Sequence, residues 1–292
     1  MNSAVESMLA GYKCKTMEDH KNALKEIIQE ITLCALSRAG FFDKAAFYGG
    51  TALRIFHGLP RFSEDLDFSL LRKETGFDLG LYCKAVQNEL AAFGFDVTVT
   101  KRGNSTESAI QSAFIKSGTL VHLLKIGAVK PPVAGVHKNE VLKIKFEIDT
   151  EPPMGARYEY RYLLSPIPFS VRVFAPGSLF SGKIHAILCR AWRSGRIKGR
   201  DLYDYIWYLS HKIPVNVAHL EARMRQTGHW VGKARMTDDT LFSLLEKKFH
   251  SINYSQAKRD MLPFIREPSE LGLWSSDFFI SISKDGLKSE AE

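Results

Sequence analysis

Cysteine is scarce in this chain. Cys14, Cys34, Cys83 and Cys189 are far apart and form no CxxC pair, which argues against a zinc site and against a disulfide framework. Cys34, Cys83 and Cys189 sit in apolar helical patterns and read as small core residues in a chain suited to a reducing cytosol. No stretch approaches the ~20 apolar residues a membrane span needs. The opening MNSAVESMLAGYKCK has no basic region followed by an apolar run, so a signal peptide is not expected. The nucleotide-binding signature GxxxxGK[ST] and the HRD and DFG motifs of protein kinases are also missing. No repeat or low-complexity segment stands out.

What the chain has is enough material for a sizeable core. Its 292 residues are 45% hydrophobic and 25% charged, a globular balance that makes two domains a natural expectation. The formal charge of +8 permits attraction to RNA, DNA or a nucleoside triphosphate, but is equally ordinary for a soluble protein.

The apolar spacing predicts a helix over Glu18 to Ser37 and a buried strand over Ala45 to Tyr48. A short helix follows over Ala52 to His57, with Thr51 as its cap and Gly58 as its stop. Leu66, Phe68 and Leu70 alternate with Asp65, Asp67 and Ser69 in the manner of a half-buried strand. A helix over Leu79 to Phe93 and a strand over Phe95 to Thr100 come next. Two strands are expected near Ala113 to Ile115 and Leu120 to Ile126, then a loop over Pro131 to Asn139. Val141 to Thr150 alternates strongly, and a short strand covers Val171 to Phe174. From Ser178 onward the texture is helical, with helices over Leu179 to Trp192, Asp201 to Leu209, Asn216 to Gln226, Asp238 to Lys248 and Tyr254 to Ile265. The expected fold is α+β: a mixed sheet with flanking helices in residues 1–175, then a helical domain in residues 176–292.

Two signals carry chemistry. Asp65 and Asp67, two apart on a strand, share one face while Leu66 and Phe68 take the other. Like charges this close repel unless a cation sits between them, and Mg²⁺, which prefers hard oxygen ligands and substrate phosphates, meets that need. A bare DxD is more often a solvent-exposed strand face. The second signal is Gly49-Gly50-Thr51 at a strand-to-helix turn, where missing side chains let phosphate approach the backbone and the Thr51 hydroxyl or amide can bind it. By itself such a turn is more often a plain helix start. Glu147 and Asp149 repeat the two-residue spacing on a later strand, and either is a candidate third carboxylate.

The run Phe47-Tyr-Gly-Gly-Thr-Ala-Leu-Arg-Ile-Phe-His-Gly-Leu-Pro-Arg-Phe-Ser-Glu-Asp-Leu-Asp-Phe68 closely resembles the AbiEii/AbiGii-type toxin family. That family is a branch of the minimal nucleotidyltransferases related to DNA polymerase β and includes the MenT toxins. The resemblance implies a metal-dependent nucleotidyltransferase fold. It makes Glu147 the third acid, with Asp149 as alternate. It also assigns a functional lysine to Lys183, within Ser181-Gly-Lys-Ile-His-Ala-Ile-Leu, and a functional acid to Asp201, within Arg200-Asp-Leu-Tyr-Asp204.

The implied activity is a cytoplasmic toxin, in a toxin–antitoxin or phage-defence system. It transfers a nucleoside monophosphate from an NTP to an RNA acceptor, with tRNA favoured, and releases pyrophosphate. Asp65, Asp67 and Glu147 would hold Mg²⁺; Gly49, Gly50, Thr51 and Lys183 would hold the triphosphate; Asp201 would orient Lys183, touch the nucleotide or cap its helix. The implied partner is a cognate antitoxin protein. The rival readings are a kinase-like modification of a protein and a non-catalytic nucleic-acid-binding role. Lys183, Arg190, Arg193, Arg196, Lys198 and Arg200 form an acid-free basic run around Trp192, which suits RNA phosphates but equally a solvated helix end. Arg54 and Arg61 are further candidates for phosphate, and Arg54 is equally a candidate for balancing the acids.

Overall fold

Residues 3–74, 76–101, 110–118, 141–190, 198–265 and 267–290 are described by a computed structural model. The fold is α+β. The chain divides into two compact units, one of residues 1–52, 63–152 and 160–173, the other of residues 53–62, 153–159 and 174–292.

In the first unit a mixed sheet has seven strands among the described residues: β1 (Ala45–Tyr48), β2 (Leu66–Leu70), β3 (Val97–Lys101), β4 (Ile110–Gly118), β5 (Val141–Asp149), β6 (Tyr158–Leu163) and β7 (Phe169–Phe174). Their order is β3-β4-β5-β2-β1-β7-β6, which places β2 at the centre. β2 runs antiparallel to β1 and parallel to β5. Helices α1 (Ser3–Ala10), α2 (Met17–Arg38) and α4 (Leu79–Ala92) belong to this unit, while α3 (Gly49–His57) begins in it and continues into the second.

Burial of alternate residues fixes the register. Phe47 pairs with Phe68, and Phe68 with Ile148, all fully buried. The Phe68 ring lies 5.0 Å from Phe47, 5.0 Å from Phe41 and 4.9 Å from Phe146. A slip of one residue would turn these rings to the opposite face, so the apolar side dictates where the intervening acids stand. Helix α2 opens with a capping box, Thr16 and Asp19 each satisfying the other's backbone N–H. Its Gln29 side chain donates to the Ser63 carbonyl (3.1 Å), and Lys25 meets Glu64 (3.3 Å), tying down the connection that leads to Asp65.

The second unit holds α5 (Pro176–Cys189), α6 (Gly199–Ser210), α7 (Val217–Gln226), α8 (Asp238–His250), α9 (Tyr254–Met261) and α10 (Ser276–Gly286). Phe180 on α5 stacks on Tyr208 of α6 at 4.5 Å, and Tyr205 packs against Phe249. Gly199 lets α6 start against α9: a Cβ there would stand 2.1 Å from the Ala257 carbonyl oxygen.

Several elements differ from the sequence expectation. Strand β6 and helices α1 and α10 were not anticipated. Thr51 lies inside α3, and Asp201 inside α6, whose cap position is Lys198, so neither caps its helix. The expected strand over Leu120 to Ile126, the loop over Pro131 to Asn139, and Trp192, Arg193 and Arg196 lie outside the described residues. Cys34, Cys83 and Cys189 are buried in the core, and none of the four cysteines is in a disulfide. Among the described residues no helix is long and apolar enough to cross a membrane.

Candidate active site

The residues singled out from sequence fall into two groups, each within one unit. Gly49, Gly50, Thr51, Asp65, Asp67 and Glu147 belong to the first; Lys183 and Asp201 belong to the second.

In the first group the sheet sets the geometry. Tyr48 at the end of β1 pairs with Asp67 on β2, Asp67 pairs with Glu147 on β5, and Glu147 pairs with Ser112 on β4. Neighbours at one register position point to the same face, so the Asp67 and Glu147 carboxylates share a side, opposite the buried phenylalanines. Asp65, Asp67 and Glu147 are half-buried. Asp149 pairs instead with Ser69, and its carboxylate accepts from the Glu151 amide (2.9 Å), closing the turn after β5.

Sequence reasoning missed Lys145. Its ammonium lies 2.6 Å from Glu147 Oε2, and the Ser112 hydroxyl faces Oε1 at 3.4 Å. This cation balances one of the two facing acids. The signal was present in the alternation Lys143, Lys145, Glu147, Asp149, which puts both signs of charge on one strand face.

The glycine turn is built around Asp67. Gly49 follows β1 and opens α3 with φ +83°, a left-handed conformation that favours glycine. A Cβ at Gly49 would lie 2.5 Å from Asp67 Oδ2 and 3.2 Å from its Cβ and Cγ. Gly50 occupies the first turn of α3, where amides lack intrahelical partners. The Thr51 hydroxyl is turned inward and donates to the Asp65 carbonyl oxygen, fastening the start of α3 to the residue before β2. Gly49→Ala is therefore expected to displace the Asp67 carboxylate and to cost about 1–2 kcal/mol of backbone strain. Activity should fall much further than thermal stability; equal losses in transfer assays and thermal melts would contradict this.

Carboxylate oxygens are the ligand type that a hard divalent cation takes. Asp67 and Glu147 offer carboxylate oxygens at one register position, and Asp65 adds a third two residues from Asp67. Among the described residues no three His, Cys, Asp or Glu side chains converge closely enough to hold a metal ion.

The second group is a buried chain of charges. Lys183 on α5 places its ammonium 2.7 Å from Asp201 Oδ1 and 2.8 Å from Asp204 Oδ2 on α6. Asp201 and Asp204 are three residues apart and share a helix face. Arg61 grips Asp204 with both prongs of its guanidinium, Nε to Oδ1 and Nη2 to Oδ2, each at 2.6 Å. Arg190 meets the other end, 3.3 Å from Asp201 Oδ2. Arg61 and Asp204 are essentially sealed from solvent. Burial works against the charge on Lys183, but Asp201 and Asp204 outweigh it and raise its pKa. Burial likewise opposes the Asp201 carboxylate, and Lys183 and Arg190 overcome it, holding the pKa below the usual range.

Arg61, one of two arginine candidates for phosphate, pairs with Asp204. Arg54 donates to the Leu59 and Pro60 carbonyls and lies over the Phe62 ring. Arg200, in the basic run, sits 4.2 Å over the Phe264 ring.

A family model described as "Nucleotidyl transferase AbiEii toxin, Type IV TA system" matches residues 31–280. Among solved structures, the crystal structure of JHP933 from Helicobacter pylori is similar at 17% identity, covering 90% of this chain and 92% of that one, with a TM-score of 0.48. A crystal structure of a candidate nucleotidyltransferase from H. pylori matches at 16% identity over 90% of this chain and 94% of that one, with a TM-score of 0.47. Comparison with curated proteins gives no match.

Proposed function

The chain belongs to the AbiEii family of nucleotidyl transferase toxins of type IV toxin–antitoxin systems, and on that premise we propose that it moves a nucleoside monophosphate from an NTP to an RNA acceptor, with tRNA the favoured acceptor. The observation that carries this reading is the pairing of Asp67 with Glu147 on one face of the central strands, beside a glycine turn shaped to the Asp67 carboxylate.

In the proposed reaction an RNA hydroxyl oxygen attacks the α-phosphorus. The bond from that phosphorus to the bridging oxygen of the β-phosphate breaks, and pyrophosphate leaves with the electron pair. Glu147 orients the attacking hydroxyl and accepts its proton; its register opposite Asp67 favours it over Asp149, which is engaged in a turn. The first-turn amides at Gly49, Gly50 and Thr51 receive phosphate oxygens, and Lys183 adds a positive charge for the triphosphate. The Thr51 hydroxyl acts indirectly, by fixing Asp65. Asp201 orients Lys183, as its ion pair supports. Asp65, Asp67 and Glu147, which do not by themselves converge on one point, are the carboxylates that would hold Mg²⁺ together with the NTP phosphates, and its chemistry is to neutralise charge on those phosphates. The family implies an antitoxin partner. A role in phage defence, carried out in the cytoplasm where NTPs and tRNA meet, completes the proposal.

The test is position-specific labelling. The protein is incubated with Mg²⁺, total cellular RNA and each NTP labelled at either the α- or the γ-phosphate. Label from the α position should appear in RNA of tRNA size, while γ label stays with pyrophosphate. Label reaching a macromolecule only from the γ position would overturn the reading in favour of kinase-like transfer.

A further inference from the structure

Lys183 is held between two carboxylates, an arrangement that by itself would cancel the charge it is meant to offer. Its ammonium donates to Asp201 Oδ1 at 2.7 Å and lies 2.8 Å from Asp204 Oδ2. With both acids uncompensated, the three groups would carry one net negative charge, and a triphosphate would be repelled. The two arginines change this. Arg61 binds Asp204 through its rigid fork at 2.6 Å on both oxygens, and Arg190 binds Asp201 at 3.3 Å. Each acid therefore has its own arginine. Three cations against two carboxylates leave one net positive charge, centred on the ammonium between them. The Lys183 side chain is 14% exposed, whereas Asp204 is fully buried, so the lysine is the member of the inner pair that reaches solvent.

We infer that Arg61 and Arg190 are charge-balancing positioning residues: each cancels one of the acids that lock Lys183 in place, so that the ammonium is fixed in direction yet keeps its charge for an NTP. A lysine alone has long, mobile side-chain torsions, and ordering it costs entropy. Two carboxylates remove that freedom, and two guanidiniums remove their electrostatic cost. This inference rests on the proposed role of Lys183 in holding the triphosphate.

The experiment measures equilibrium binding of ATP, GTP, CTP and UTP, each with Mg²⁺, to the full chain. Lys183→Gln should abolish measurable binding of the preferred NTP. Arg61→Gln removes one positive charge and should weaken binding at least about tenfold, about 1.4 kcal/mol. The double variant Arg61→Gln/Asp204→Asn restores the net charge and should regain binding to within about threefold of wild type. Neutralising both partners also relieves a buried unpaired charge, so each titration is run on protein shown folded by thermal melting, and the exposed Arg190 pair separates a charge effect on binding from a structural one. Arg190→Gln, whose side chain is 42% exposed and whose loss leaves Asp201 still paired with Lys183, should weaken binding in the same direction, and Arg190→Lys should restore it. If Arg61→Gln does not fold, the Arg190 pair decides. No NTP binding by wild type would overturn the functional reading and this inference together. Loss with Lys183→Gln but unchanged binding in Arg61→Gln or Arg190→Gln, or a double variant no better than Arg61→Gln, would overturn this inference alone.

Discussion

Asp67→Asn should abolish nucleotide transfer while leaving the protein folded. The amide has the shape of the carboxylate but lacks its charge, so the loss falls on the proposed metal and phosphate chemistry. Removing a group of this kind costs on the order of 10³ in rate, about 4 kcal/mol of transition-state stabilisation. Stability should move little, by about 1 kcal/mol at most. Asp67 stands at the same register position as Glu147 on the neighbouring strand, and removing one of two like charges relieves repulsion. The strand itself is held from the other side by Phe68, which is untouched. Transfer assays and thermal melts on the purified variant provide the check, with growth inhibition on expression as a cellular readout. Retained transfer would remove Asp67 from the mechanism, and retained toxicity without transfer would favour a binding role.

Asp204→Ala should produce the largest loss of stability. It removes both carboxylate oxygens from a guanidinium that is only 3% exposed, leaving it the Phe62 carbonyl alone, and removes one of the two anchors of Lys183. Breaking a buried ion pair in this way costs about 3–5 kcal/mol, because the remaining charge is left in a poorly polarisable interior. At about 2–4 °C per kcal/mol, the melting temperature should drop by on the order of 10 °C. Asp201→Ala should cost less, since its outer partner Arg190 retains access to water.

The pH dependence follows from the shifts. Asp201 is depressed in the folded state, so its contribution is present above the ordinary carboxylate value of 3.8 and is lost as pH falls through the lower folded value. Lys183 is raised, so its contribution is present below 10.5 and is lost as pH rises through the higher folded value. Denaturant midpoints should therefore show a wild-type advantage over Asp201→Ala that is flat between about pH 5 and 9 and shrinks in acid. An advantage that grew on acidification would contradict the network as described.

Much of the first unit was legible because its information is local. The alternation of Leu66, Phe68 and Leu70 announces both a strand and the face left to Asp67, and burial of those residues bears this out. The helix over α2 and the strand β5 likewise follow from spacing alone, since a period of 3.6 or 2 is written directly in the order of residues. Strand β6 was not legible. Tyr158, Tyr160 and Tyr162 alternate with Glu159 and Arg161, but Tyr160 and Tyr162 are exposed, so this face buries little, and the strand's place in the sheet comes from pairing beside β7.

The sequence by itself determined which residues carry charge and most of the faces they occupy: Asp67 on one strand with Asp65 just ahead of it rather than on the strand as the spacing suggests, Glu147 and Asp149 on another, Lys183 on one helix, Asp201 and Asp204 together on the next. Tertiary structure alone decided the partners. Strand pairing set Glu147, and not Asp149, opposite Asp67. Packing of α5 on α6 brought Lys183 between two acids eighteen and more positions away, and brought Arg61 to Asp204 across 143 residues. The physical reason is that periodicity fixes the direction of a side chain relative to its own backbone, whereas an ion pair depends on where two distant backbones stop. That in turn is set by the buried aromatic contacts of the whole core, which no local window contains.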